Sequence, residues 1–151
     1  MRTTLPLDDR RWLREAIELS RNCPPAPLFN VGAVLVAADG TELSSGFSRA
    51  TDPHDHAEEV ALAALGPATP RLASATMYTS LEPCSKRASR PRTCAQLILD
   101  AGIGRVVFAW REPEIFVDCE GAELLRAAGV EVVELPEFAA DVRRINSHLL
   151  G

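Results

Sequence analysis

Metal-binding residue types and one carboxylate come together in the middle of the sequence. His56 is followed two positions later by Glu58, and further along Cys84 and Cys94 are separated by nine residues. One histidine and two cysteines suit a tetrahedral zinc ion, and three protein ligands leave its fourth position open for water. The residue types therefore predict a catalytic zinc site with His56, Cys84 and Cys94 as its ligands.

Glu58 is a candidate for the proton transfer that such a site requires. When a zinc-activated water attacks a carbon atom, a neighbouring carboxylate can accept a proton from the water and then donate it to the leaving group. The spacing also permits a capping box, in which Glu58 returns to the backbone of Asp55 at the start of a helix. Catalysis and capping are both open interpretations of Glu58.

Other interpretations of the three candidate ligands are also open. They could be a buried histidine and two core cysteines without metal. They could instead form a structural zinc site that Cys23 or Cys119 closes as a fourth ligand. His54, two positions before His56, is more typical of a loop residue than of a ligand.

The residues around this group predict the helices and strands of an α/β domain. Asp39-Gly40 is typical of a hairpin turn, so the first two strands should be antiparallel, and the strand, helix, strand order near the C-terminus predicts a parallel unit. We expect a three-layer α/β/α fold with a five-stranded mixed sheet, formed by residues 1–151 as a single domain. Strands are predicted over 31–36, 42–47, 75–79, 105–109 and 130–134. Helices are predicted from about 9 to before Pro24, over 55–65, 94–101 and 120–128, and from Pro136 onward, with Phe138, Val142, Ile145 and Leu149 on one face.

The predicted elements place the candidate ligands at turns and helix starts. His56 and Glu58 fall in the first turn of the second helix, and Cys84 falls where a strand gives way to a turn or a helix start. Thr93 is a suitable N-cap for a helix that begins at Cys94. A helix N-terminus favours the thiolate form of cysteine, which is the form that binds metal.

Composition and charge restrict the class of protein. The 151 residues are 46% hydrophobic and 25% charged, as expected of one globular domain with its own core. A formal net charge of −5 argues against nonspecific binding to nucleic acid or to an anionic membrane, which disfavours a nucleic-acid editing enzyme. The sequence has no apolar run of signal-peptide or membrane-spanning length, so a cytoplasmic location is expected.

Two further features suggest where a substrate would bind. The loop between the two cysteines carries Lys86, Arg87, Arg90 and Arg92 in an otherwise acidic protein. These residues are either a solvated surface or a rim that holds a substrate phosphate. Asn30, just before the first strand, has either a turn role or an amide at the pocket edge that contacts a sugar hydroxyl or a base.

Taken together, these motifs resemble the cytidine-deaminase-like superfamily over most of the chain. His56-Ala57-Glu58 and Pro83-Cys84 to Cys94 match its zinc motifs, and the stretches from Asn30 and from Leu81 look like those of riboflavin-pathway pyrimidine deaminases. Gly46-Phe47-Ser48-Arg49 and the nine residues between the cysteines are similar to the fungal form. The common bacterial form has eight residues there, has histidine in place of Ser48, and is usually fused to a reductase domain, for which this chain has no room.

The resemblance implies a single zinc-dependent deaminase domain that acts on an aminopyrimidine with a ribityl or ribosyl chain, with or without a phosphate. It implies Zn²⁺ on His56, Cys84 and Cys94, proton transfer by Glu58, and assembly as a homodimer. Ala88 and the stretch 90–93 depart from the fungal pattern, so a deaminase of another pyrimidine or purine is the alternative. The implied substrate contacts are Asn30, Ser48, Arg49, the backbone at Ala57, Lys86, Arg87 and Arg90.

Overall fold

Helices and strands alternate along the chain in a computed structural model, which describes residues 8–65, 72–85, 92–111 and 120–149. No helix in these ranges is long and apolar enough to cross a membrane. The strands are β1 (Gly32–Val36), β2 (Glu42–Phe47), β3 (Thr76–Leu81), β4 (Arg105–Trp110) and β5 (Glu131–Glu134). The α-helices are α1 (Asp9–Leu19), α2 (Ala57–Leu65), α3 (Cys94–Ala101), α4 (Gly121–Ala127) and α5 (Ala139–Ile145), with 3₁₀ turns at Ser20–Asn22, Pro136–Phe138 and Ser147–Leu149.

The five strands form one mixed sheet in the order β2-β1-β3-β4-β5. β1 is antiparallel to both neighbours, whereas β3, β4 and β5 run parallel to one another. Every residue of β1 and β3 is buried, as the continuous apolar run at β1 predicts for a strand covered on both faces. The predicted five-stranded mixed sheet is confirmed.

Helices cover both faces of the sheet and create two separate cores. Leu35 and Met77 face the core that α2, α3 and α4 complete. Val34 and Tyr78, one position away on the same strands, face the core completed by α1 and α5. Since neighbouring side chains of a strand point to opposite faces, this alternation separates three layers. The predicted α/β/α arrangement is confirmed.

The prediction of one continuous C-terminal helix is wrong. A 3₁₀ turn precedes α5, and a second 3₁₀ turn follows it after Asn146. Phe138, Val142 and Ile145 pack in the core with α1, but Leu149 packs against the opposite core. Asn146, which is fully buried, donates through Nδ2 to Val142 O at 3.0 Å and to Asn30 O at 3.2 Å. The apolar spacing continues past Asn146. The α-helix nevertheless ends before Asn146, whose side chain is hydrogen-bonded to the distant Asn30.

Candidate active site

The loop between β2 and α2 places His56. The Asp55 carboxylate accepts hydrogen bonds from Thr51 N and Oγ1 and from Asp52 N, at 2.8 to 3.2 Å. Gly46 lets α2 approach β2, because a Cβ there would lie 2.8 Å from Ala57 O. The start of α2 is therefore fixed both by the loop before it and by close contact with the sheet.

The capping interaction at the start of α2 is made by Glu59. His56 N–H donates to Glu59 Oε1 at 3.2 Å, and α2 begins at Ala57. His56 is thus the N-cap residue, and Glu59 stands three positions after it, as in a capping box. The capping interpretation that paired Glu58 with Asp55 is wrong.

Glu58 points into the interior instead. It is 3% exposed, and its Oε2 accepts a hydrogen bond from Thr79 Oγ1 at 3.1 Å. Burial raises the pKa of Glu58, and the neighbouring Cys84 thiolate raises it further, against the opposing effects of His56 and Thr79. A carboxyl with a raised pKa can hold a proton as well as release one near neutral pH, as proton transfer requires.

The turn that carries Cys84 rests on β4 and α4. Glu82 N–H donates to Trp110 O at 2.9 Å, and the buried Glu82 carboxylate accepts from Ala122 N at 3.0 Å. The backbone of Gly121 lies so close that a Cβ there would be 1.8 Å from Pro83 O. Pro83, which directly precedes Cys84, is therefore packed against the start of α4.

Cys94 is the first residue of α3, as predicted. Thr93 caps the helix, and its capping box is completed by the side chain of Gln96. Cys94 N–H donates to Cys84 Sγ at 3.2 Å, and Ala95 N–H donates to Cys84 O at 3.1 Å. The N-terminus of α3 therefore faces the sulfur of Cys84, where its positive end stabilises a thiolate.

The three candidate ligands meet at one point. Candidate ligand atoms of His56, Cys84 and Cys94 all lie within 4.8 Å of one another. His56 Nδ1 is 3.3 Å from Cys94 Sγ and 3.6 Å from Cys84 Sγ. Among the described residues, this is the group of His, Cys, Asp and Glu side chains close enough to hold a metal ion.

The chemistry of this donor set fits zinc. Hydrogen bonding with Cys94, together with His56, outweighs burial and lowers the pKa of Cys84 to about 4. Cys84 is therefore a thiolate at neutral pH, and a thiolate beside an imidazole and a second sulfur is a typical zinc donor set. Cys23 lies outside the group, with its Sγ 3.5 Å from Val31 O, and Cys119 lies outside the described residues.

The predicted substrate contacts fall into three places. Asn30 is half-buried and lines a cavity of about 340 Å³ with Cys23, Pro25, Ala26 and His148. Ser48 and Arg49 are buried and hydrogen-bonded within the protein: Val31 N–H donates to Ser48 Oγ at 3.0 Å, and Arg49 Nη1 donates to Phe29 O at 3.0 Å. Ala57 is buried at the start of α2. Lys86, Arg87 and Arg90 lie outside the described residues.

Sequence reasoning missed three residues that support the site. Thr79 and Glu82 are polar residues in or beside a fully buried strand, and such residues require a buried partner. Their position in a buried part of the sequence could have indicated that each has a polar partner. In the structure Thr79 contacts Glu58 and Glu82 contacts α4. Asn146 gave no comparable signal, because its partner Asn30 is 116 residues away.

Comparisons with known proteins agree with this geometry. A family model described as the cytidine and deoxycytidylate deaminase zinc-binding region matches residues 6–110. Diaminohydroxyphosphoribosylamino-pyrimidine deaminase of Schizosaccharomyces pombe is 39% identical over 142 residues, which are 92% of this chain and 35% of that protein. Riboflavin biosynthesis protein RibD of Escherichia coli is 35% identical over 83% of this chain and 33% of its own length. The chain thus spans about a third of the length of these curated relatives.

Solved structures show the same fold. The diaminohydroxyphosphoribosylaminopyrimidine deaminase/5-amino-6-(5-phosphoribosylamino)uracil reductase of Thermotoga maritima superposes with a TM-score of 0.83 at 30% identity, over 94% of this chain and 40% of that one. Aspergillus oryzae Rib2 deaminase in complex with DARIPP gives a TM-score of 0.76 at 26% identity, over 94% of this chain and 96% of that one. The resemblance to fungal riboflavin-pathway deaminases is confirmed. The chain belongs to the cytidine and deoxycytidylate deaminase family, whose zinc-binding region it contains.

Proposed function

We propose that this protein is a zinc-dependent hydrolytic deaminase of an aminopyrimidine. The observation that carries the proposal is the buried Glu58 carboxylate beside the group formed by His56, Cys84 and Cys94. In the proposal these three residues bind zinc and Glu58 transfers the proton. Zinc bound there supplies the Lewis acidity that lowers the pKa of a water molecule.

Glu58 serves both halves of the reaction. It takes a proton from the attacking water, whose oxygen forms a bond to the ring carbon that carries the amino group. That proton goes to the ring nitrogen beside this carbon, whose double bond to the carbon opens as the oxygen adds. Glu58 then takes the remaining proton from the new hydroxyl and gives it to the amine nitrogen, the carbon–nitrogen bond breaks, and ammonia leaves. The carbon keeps the oxygen as a carbonyl, so one water is consumed for each ammonia released. Thr79 holds the carboxylate in place through its hydroxyl.

The substrate proposed is a diamino pyrimidinone phosphate with a ribosylamino or ribitylamino chain, of the riboflavin pathway. The names of the S. pombe and T. maritima relatives and of the A. oryzae complex support this class of substrate. Asn30 and the backbone N–H of Ala57 are proposed to contact the base or sugar. Lys86, Arg87 and Arg90 are proposed to contact the phosphate, on the basis of their charge and their position between the two cysteines.

Ammonia release by the purified zinc protein tests this function. The screen compares the phosphorylated diaminopyrimidines with their unphosphorylated forms, with cytidine nucleotides and with guanine. We expect turnover of a diaminopyrimidine, and turnover of cytosine or guanine compounds alone would instead favour the other base deaminases. A homodimer and a cytoplasmic location stay predictions, and light scattering on the same sample measures the first.

Glu58→Gln tests the proton transfer. We expect kcat to fall by about a hundredfold to ten-thousandfold, because the amide cannot shuttle a proton, while zinc content is unchanged. Glu59→Gln is the matched control, since it makes the same change one position along and keeps an acceptor for His56 N–H. Wild-type turnover in the Glu58→Gln protein would refute the assigned role.

A further inference from the structure

Asn30 is held from two directions by residues that do not belong to the metal site. Arg49 lies on one side, after β2, and Asn146 lies on the other, after α5. Arg49 makes four hydrogen bonds to the segment 24–30, which leads into β1, and Asn146 makes two, both to the backbone of Asn30. The segment therefore has little freedom to move at Asn30.

The side chain of Asn146 is hydrogen-bonded to both polar groups of the Asn30 backbone. Asn146 Oδ1 accepts from Asn30 N at 2.6 Å, and Asn146 Nδ2 donates to Asn30 O at 3.2 Å. The amide cannot be reversed, because Nδ2 faces two carbonyls, of Asn30 and of Val142, and Oδ1 faces an N–H group. Asn146 is 0% exposed, so water does not compete for these bonds.

Arg49 fixes the side chain of Asn30. Its Nη2 donates to Asn30 Oδ1, and its guanidinium also donates to Phe29 O at 3.0 Å and to Pro24 O at 2.8 and 3.2 Å. Arg49 has φ of 59°, a left-handed conformation that is costly for a residue with a Cβ and persists where the surroundings enforce it. The guanidinium of Arg49 is thus occupied by hydrogen bonds to the segment 24–30.

The contact with Arg49 determines which atoms of the Asn30 side-chain amide are available to a ligand. A guanidinium has donors but no acceptor, so the Asn30 atom that faces Arg49 is the oxygen. Among the described residues Asn30 Nδ2 has no hydrogen-bond partner, so its two hydrogens are available to a ligand in the cavity of about 340 Å³ that Asn30 lines. An oxygen or nitrogen acceptor on the ligand can meet these hydrogens, while one lone pair of Asn30 Oδ1 is already taken by Arg49.

We propose that Asn146 and Arg49 are positioning residues that hold Asn30 with its Nδ2 hydrogens toward the substrate. This inference rests on the proposed function, in which Asn30 contacts the base or sugar. The effect belongs to substrate binding more than to the chemical step, because neither residue touches Glu58 or the candidate ligands in the hydrogen bonds described.

A double-mutant cycle between Asn30 and Asn146 tests the proposal. The variants are Asn30→Ala, Asn146→Ala and both together, with Arg143→Ala on the exposed face of α5 as the control. We expect Asn146→Ala to raise KM by about tenfold to a hundredfold with a smaller change in kcat, since small misplacement of a positioning group has effects of this size. In the Asn30→Ala background the same substitution should change KM by less than about twofold.

Thermal stability separates positioning from a merely structural role. Asn146→Ala should lower the melting temperature in both backgrounds, but its effect on KM should vanish once Asn30 is gone. Arg49→Lys is a second variant, in which the lysine lacks the planar fork and should also raise KM. Unchanged KM in Asn146→Ala and Arg49→Lys, unchanged KM in Asn30→Ala, or effects that add fully in the double variant would overturn the proposal.

Equilibrium binding keeps this test apart from that of the proposed function. Kd for the diaminopyrimidine phosphate is measured by calorimetry in the Glu58→Gln background, where the ligand stays intact. If the wild-type protein binds the ligand without releasing ammonia, the proposed function is wrong. The Kd values with and without Asn146→Ala still test whether Asn146 positions Asn30. A Kd that Asn146→Ala leaves unchanged overturns the positioning role alone, and absence of any binding overturns both.

Discussion

Replacing Gly121 with alanine should weaken zinc binding without touching a ligand. A Cβ at residue 121 would lie 1.8 Å from Pro83 O, whereas real Cβ atoms essentially never come within 3.0 Å of another heavy atom. The start of α4 and the Pro83 backbone must therefore separate by more than about 1 Å, far beyond the tolerance of about 0.2 Å for metal–ligand distances. Cys84 follows Pro83 directly, so the movement reaches its sulfur.

We expect the zinc dissociation constant of Gly121→Ala to rise by about tenfold to a hundredfold, as for other changes to groups that orient metal ligands. Competition with a chromophoric chelator measures this constant. Gly129→Ala is the matched control at the other end of α4, where φ is +94° and a Cβ would have no atom within 4 Å. It should lower stability through backbone strain and leave zinc affinity unchanged. Wild-type zinc affinity in Gly121→Ala, or an equal loss in Gly129→Ala, would refute the reasoning.

Three other predictions concern stability and the second zinc hypothesis. Burial disfavours ionised Asp9, but hydrogen bonds from Arg105 and Tyr78 outweigh it and hold the pKa of Asp9 below its usual value. Asp9→Asn should therefore lower the free energy of unfolding by about 2 kcal/mol at pH 7, and urea titrations should show the difference from wild type shrinking as the pH falls below about 4. Thr76→Val should raise the free energy of unfolding by about 1 kcal/mol, because the buried Thr76 Oγ1 has no hydrogen-bond partner among the described residues; a lower urea midpoint would contradict this. Cys23→Ser should keep full zinc content by mass spectrometry, and loss of zinc would restore the hypothesis that Cys23 is a fourth ligand.

The features predicted well from the sequence depend on local chemistry. Few side chains bind zinc, so His56, Cys84 and Cys94 could be singled out by type, and they lie together. The helix over Cys94–Ala101 has its cap at Thr93 and its left-handed end at Gly102, and both signals lie within the segment itself. β1 could be recognised because it is buried on both faces and apolar throughout, and the turn signal at Asp39-Gly40 identified β2 as its antiparallel neighbour.

The features that were missed depend on contacts between distant segments. The apolar spacing from Phe138 to Leu149 predicted one helix, but Asn146 bonds to Asn30 across 116 residues and α5 ends there. Likewise, nothing near Gly121 in the sequence indicates that its backbone rests on Pro83. Such contacts set the geometry of the site without leaving a periodic pattern.

The two adjacent glutamates show how a small error in a helix start changes a functional assignment. An N-cap at Asp55 would make Glu58 the capping residue, whereas the observed start at Ala57 gives that place to Glu59. Successive residues of a helix differ by about 100° in direction, so Glu58 then points to the buried side, where Thr79 meets it. The same capping interaction that satisfies the helix N-terminus therefore leaves Glu58 without a capping role. It can then face the zinc site as a buried carboxylate with a raised pKa.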